Sequence, residues 1–196
     1  MLKDILRDKR LLLASASPRR QNFLRDLGLT FEICPIDIEE IYPPELQAEQ
    51  ITDYLAELKA NAFEGKLAAN DILITSDTIV WHEDTALGKP RNYDDAFEML
   101  TRLARSTHNV ITSVCLKSAE KQLLFHDVTR VTFGQLDQDG IHYYLKEYEP
   151  FDKAGAYGIQ DWIGLVAISK IEGSYTNVVG LPTEKFYNCL SNFVKS

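Results

Sequence analysis

The feature that most constrains this chain is a switch of hydrophobic period between residues 11 and 28. Leu11 to Ala16 is a short uncharged run of strand length, and Ser17-Pro18-Arg19-Arg20 follows it directly. Ser17 predicts a helix N-cap, and Pro18 stands at the first helical position, where its missing N–H costs nothing. Phe23, Leu24 and Leu27 recur with helical spacing, and Gly28 is suited to end the helix. Strand-like and helix-like segments keep alternating beyond this point, which predicts an α/β fold.

A strand is expected around Phe31 to Cys34, followed by an acidic, proline-containing loop from Ile38 to Pro44. A second helix is expected after Thr52, with Ile51, Leu55, Leu58 and Ala62 on its inner face. Ile72 to Trp81 is apolar and β-branched and predicts a central strand. A helix after Tyr93 carries Ala96, Leu100 and Leu103. Residues 109–117 and 123–133 read as an antiparallel hairpin about a Ser118-Ala119-Glu120 turn. A short helix over 141–147, a strand from Gly164 to Ser169 and a final helix with Phe186, Leu190 and Phe193 complete the pattern. With no repeat and no linker, the expectation is one domain over residues 1–196, with room for two lobes.

Composition narrows the function classes. Hydrophobic residues are 45% and charged residues 26%, which excludes a disordered, fibrous or membrane-embedded chain. The formal charge of −8 repels a phosphate backbone, so nucleic acid is not an expected partner. Cys34, Cys115 and Cys189 form no C-x-x-C pair, and reduced thiols are expected. The uncharged run from Leu11 stops at Pro18-Arg19-Arg20, too short for a secretory core or a membrane span. No membrane partner and a cytoplasmic location are therefore expected.

Several segments carry candidate chemistry. Ser15, Arg19 and Arg20 lie where a strand passes into a helix, and helix N-termini favour anions. Two arginines in a first turn oppose the helix dipole unless an anion sits there; spacing alone leaves open a capped surface helix with solvated arginines. Asp77 interrupts an apolar strand within Thr75-Ser76-Asp77-Thr78, where a carboxylate is costly unless it is paired, hydrogen-bonded or metal-bound. Lys59 lies beside the apolar stripe of its helix, Lys89 sits in Leu87-Gly88-Lys89-Pro90, and Glu39-Glu40 lie in the acidic loop. Taken singly, each of these also suits a solvated surface. With phosphates present, one or two loop carboxylates are the usual ligands of a divalent ion. Asp152 to Gln160 and Ile171 to Pro182 are glycine-rich loops that match neither a P-loop nor a dinucleotide fingerprint. The four histidines have no i, i+4 partner and read as structural or surface residues, and Tyr143-Tyr144 as a packing pair.

In order, LASASPRR, SDT, LGKP, DKAGAYGIQ and IEGSYTNVVGLP resemble the motifs of the Maf family of nucleotide pyrophosphatases and span nearly the whole chain. The resemblance implies an inosine-triphosphatase-like α/β fold: an elongated mixed sheet flanked by helices, with two lobes around a cleft. It implies metal-assisted hydrolysis of a nucleoside triphosphate to monophosphate and pyrophosphate, with Mg or Mn as the cation. The SDT triplet and the DKAGAYGIQ loop resemble the branch acting on dTTP and UTP, and the same pocket would suit modified pyrimidine nucleotides. Residue by residue, Asp77 matches the family's proton acceptor, Arg19, Thr78 and Gln160 its selectivity positions, and Glu40, Lys59 and Lys89 its charged cleft. Glu40 and Asp77 are then the expected metal ligands, and Ser15 and Arg20 join the substrate contacts. The chain departs from commoner members at Gly158 and at Asp161-Trp162. A homodimer is the protein partner this likeness allows. The competing function is a nucleotide-binding regulator of cell division, an inhibitor of septum formation without significant turnover.

Overall fold

The structure, a computed structural model, describes residues 2–195. In chain order its elements are α1 (Leu2–Ile5), β1 (Arg10–Leu13), α2 (Pro18–Asp26), β2 (Phe31–Ile33), α3 (Glu49–Asn61), β3 (Asp71–His82), β4 (Thr85–Leu87) and α4 (Tyr93–Leu103). They continue as β5 (Thr107–Lys117), β6 (Gln122–Phe133), α5 (Gln138–Tyr148), α6 (Trp162–Val166), β7 (Ile168–Glu172), α7 (Tyr175–Val179) and α8 (Thr183–Lys195). Two short 3-10 turns, Pro150–Asp152 and Ala154–Ala156, separate α5 from α6. The seven strands form one mixed sheet in the order β2-β1-β3-β5-β6-β7, with β4 paired to β3 off that path. β1 runs parallel to β2 and β3, whereas β4 and β7 run antiparallel to β3 and β6. This is the mixed, helix-flanked α/β sheet that the alternating pattern predicts.

The chain divides into two compact units, residues 2–77, 112–127 and 180–195 in the first and 78–111 and 128–179 in the second. In the first unit the apolar strands are covered on both faces, which is why they read as continuous hydrophobic runs. Leu11, Leu13, Ile72 and Ile74 pack with Leu24 of α2 and with Phe186 and Leu190 of α8. Leu12, Ala14 and Leu73 point the other way and meet Ala56 and Ala60 of α3. The small alanines let α3 lie close to the sheet, and that closeness brings the buried Lys59 of α3 up to it. The second unit has its own core, in which Val80, Leu100, Leu103, Val131, Phe133, Tyr144 and Tyr157 belong to one cluster.

α4 forms where its apolar spacing predicts it, and its start is fixed by Asn92, whose side-chain oxygen accepts the Asp95 N–H. Other expectations are corrected. α3 begins at Glu49, ahead of Thr52; the Thr52 hydroxyl donates back to the Glu49 carbonyl, so it marks a helix interior. The buried face of α3 is Ile51, Thr52, Leu55, Ala56, Lys59 and Ala60, rotated away from Leu58 and Ala62. Ser17 occupies the N-cap position of α2 but makes no side-chain cap bond; the Ser15 hydroxyl accepts the Ser17 N–H instead. The run expected as a strand from Gly164 to Ser169 splits into the end of α6 and the start of β7. A Cβ at position 164 would overlap the Ile159 carbonyl oxygen, so glycine permits a helical approach that the apolar run alone does not reveal.

Candidate active site

β3 alternates its side chains, so Leu73, Thr75 and Asp77 share the face covered by α3. The Thr75 hydroxyl donates to the Ala56 carbonyl at 2.6 Å and ties strand to helix. One helical step on, the Lys59 ammonium donates to Asp77 Oδ1 at 2.6 Å and lies 2.9 Å from Glu40 Oε1. The side chains of Lys59 and Asp77 are only 10% and 9% exposed, while Glu40 is 45% exposed in its loop. A buried lysine and a buried aspartate are tolerable here because each neutralises the other. The sequence placed Lys59 beside the buried stripe; the structure puts it inside that stripe, aimed at the sheet.

A second cluster gathers at the end of β1 and beside the middle of β3. Arg20 is half-buried and donates to the Ser76 carbonyl at 3.0 Å, the Gly180 carbonyl at 2.9 Å and Ser15 Oγ at 3.4 Å. Burial holds its guanidinium below the usual arginine range, while Asp77 and Glu40 act in the opposite direction. An arginine in this setting stays cationic at neutral pH. Arg20 therefore ties the loop after β1 to β3 and to the start of the Gly180 segment. Arg19, beside it, is half-buried at the same helix start. Nothing in the sequence signalled the Gly180 carbonyl, because a backbone acceptor leaves no mark in residue type.

Ser15, Arg19, Arg20, Glu40, Lys59 and Asp77 all belong to the first unit. Thr78 follows Asp77 in β3 and is half-buried. Lys89 is exposed in the turn after β4, and Gln160 is exposed in the turn before α6. That second turn is closed by the Asp161 N–H donating to the Gly158 carbonyl at 3.0 Å. The Tyr144 hydroxyl accepts the Gly158 N–H at 2.9 Å and donates to Asp161 Oδ2 at 2.8 Å. Tyr143 packs edge-on against Trp162, so the tyrosine pair does pack, but Tyr144 also carries a hydrogen-bonding duty.

The histidines fit structural or surface roles. His82 and His108 are buried, with His108 Nε2 2.8 Å from the Tyr157 hydroxyl; His126 lies beside Asp53 and His142 beside the Tyr93 hydroxyl. All three cysteines are free thiols. Among the described residues no group of three or more His, Cys, Asp or Glu could hold a metal ion. Glu40 and Asp77 do, however, bring two carboxylates to a single ammonium. Two hard oxygen donors suit a divalent ion whose remaining ligands are substrate phosphates and water. No helix among the described residues is long and apolar enough to cross a membrane.

Known proteins resemble this chain over nearly its whole length. A dTTP/UTP pyrophosphatase of Flavobacterium johnsoniae is 59% identical over 194 residues, covering 99% of this chain and 100% of that protein. One of Bacteroides fragilis is 48% identical over 188 residues, covering 95% and 97%. Among solved structures, a HAM1 protein from Coxiella burnetii aligns with a TM-score of 0.50 at 15% identity, covering 94% of this chain and 99% of that one, a likeness of fold alone. The family model described as Maf-like protein matches residues 10–193, from the first residue of β1 to the last turn of α8. Sequence motifs, relatives and family model thus agree over almost the whole length, and the chain belongs to the Maf-like protein family.

Proposed function

We propose that this chain hydrolyses dTTP and UTP to the nucleoside monophosphate and pyrophosphate. The observation that carries the reading is the buried Lys59–Asp77 pair in the middle of an apolar strand, with the loop carboxylate of Glu40 on the same ammonium. A regulator that only bound nucleotide would have no need of a carboxylate in so costly a place. The names of relatives at 43–59% identity support the substrate class.

Asp77 orients the attacking water and accepts its proton as oxygen approaches the α-phosphorus. Lys59 holds Asp77 in place, and with Arg19 and Lys89 offsets the charge that develops on the leaving pyrophosphate. Glu40 and Asp77 would hold a divalent cation, Mg or Mn, which lowers the charge of the phosphates and makes water a better nucleophile when bound. Arg20 and Ser15 keep the loop before α2 in register with β3, so that the helix start and Arg19 face phosphate oxygens. Thr78 and Gln160 each donate and accept hydrogen bonds, which suits the two carbonyls and the N–H on the pairing edge of uracil or thymine. The same edge extends the substrate class to modified pyrimidines that keep it. The cytoplasm is the matching compartment.

The test is turnover of dTTP, UTP and CTP with Mg or Mn, with pyrophosphate and orthophosphate measured separately. Pyrophosphate from dTTP and UTP at comparable rates, and little from CTP, is the expected result. Release of orthophosphate would mean attack at the γ-phosphorus and would overturn the reading.

A further inference from the structure

We propose that Tyr144 and Asp161 form a clamp on the turn that carries Gln160, acting as positioning residues for recognition of the pyrimidine base. This rests on the reading that Gln160 meets the base. The turn runs from Gly158 to Asp161 with Ile159 and Gln160 at its centre. Ile159 is 6% exposed and anchors the turn in the core, while Gln160 is turned outward.

A single phenolic oxygen joins both ends of this turn. It accepts from the Gly158 N–H and donates to the Asp161 carboxylate, at 2.9 and 2.8 Å. Tyr144 is a rigid post for the purpose. It is fully buried on α5, its ring stacks on Tyr148 with centroids 5.2 Å apart, and α5 is capped by the Asp137 side chain. Burial pushes the phenol well above the ordinary tyrosine range, with the Asp161 carboxylate acting in the same direction, so the proton it donates stays on. Lys153, bonded to Asp152 at 2.8 Å, stands 4.0 Å from Asp161 Oδ2 and offsets its charge.

Gly158 completes the device. A Cβ there would come 2.6 Å from Gln160 Nε2 and 2.5 Å from Asp161 Oδ2, so the glutamine amide and the aspartate carboxylate share the space above one glycine. An exposed glutamine on a loose loop loses side-chain and backbone freedom when it engages a base, and that loss weakens discrimination. Held by the clamp, Gln160 is already ordered before the base arrives.

The experiment compares kcat and KM for UTP and CTP in the wild type, Tyr144→Phe, Asp161→Ala and Asp161→Asn, with thermal unfolding to verify the fold. The clamp predicts that Tyr144→Phe and Asp161→Ala lower the UTP/CTP ratio of kcat/KM by about tenfold, chiefly by raising KM for UTP, the scale of one lost hydrogen bond. Asp161→Asn keeps an acceptor for the phenol and restores most of the ratio. Should Tyr144→Phe fail to fold, Asp161→Ala carries the test, because it removes the same hydrogen bond from the turn side and leaves the Tyr144 ring in place. An unchanged ratio in folded variants, or equal losses for both nucleotides, overturns the clamp while leaving the pyrophosphatase reading intact. A wild type that does not distinguish UTP from CTP removes the base-reading role of Gln160, and the clamp with it.

Discussion

Asp77→Asn separates chemistry from architecture at the centre of the proposed site. The Lys59–Asp77 contact is 2.6 Å between two side chains that are about nine-tenths buried. Stranding one member of such a pair typically costs about 3–5 kcal/mol. Lys59 is not stranded in this variant, because Glu40 remains 2.9 Å away and an asparagine oxygen can still accept from the ammonium. The structural loss is then that of a weakened charge-assisted hydrogen bond, about 2 kcal/mol, a drop of about 4–8 °C in Tm for a chain of this length. Turnover should fall far more, by about 100-fold or greater, because a neutral amide neither accepts a proton from water nor binds a divalent cation strongly. Pyrophosphate release from UTP, measured beside a thermal melt of the same preparation, gives both quantities. A folded Asp77→Asn variant with near-wild-type turnover would make Asp77 a purely structural partner of Lys59, and the mechanism would have to be abandoned.

Three further outcomes follow from the buried groups. Burial lowers His108 to about 3, with the nearby His82 acting in the same direction, so the unfolded chain binds a proton that the folded chain does not. The stability this contributes is complete above the ordinary value of about 6.5 and declines as pH falls toward the folded pKa, by about 1.4 kcal/mol per pH unit. Urea unfolding of His108→Gln across that window should show a shallower slope than the wild type, and equal slopes would refute the assignment. The Ser76 hydroxyl is buried and has no hydrogen-bond partner among the described residues, so Ser76→Ala should leave Tm unchanged or slightly raised. A clear loss of stability would mean that the hydroxyl has a partner after all. Cys115 is fully buried and its thiol is pushed up to about 12, so in the native protein it should react with a thiol reagent far more slowly than half-buried Cys34 and Cys189. Equal labelling of the three would contradict that burial.

The sequence by itself determined the local and the chemical. Ala96, Leu100 and Leu103 announced α4 because helical periodicity is a property of neighbouring residues, and Asp77 stood out because an ionised group in an apolar strand is expensive wherever the strand goes. The ordered motifs determined the family for the same reason: they are strings, legible without coordinates. What they did not determine was which side chains meet. Lys59 looked like a lysine beside an apolar stripe until α3 was seen to start at Glu49 and to turn that position onto the sheet. A helix start depends on where the preceding chain releases it, and Thr52 looked like a cap while serving as an interior residue. The Gly164 run was expected as a strand, and only the fold shows it divided between α6 and β7, with the Ile159 carbonyl where a Cβ at 164 would stand. Arg20 and Tyr144 were read as a phosphate ligand and a packing residue. Their hydrogen bonds to Gly180 and Gly158 are long-range and use backbone groups, which every residue carries alike, so only the tertiary fold could place them.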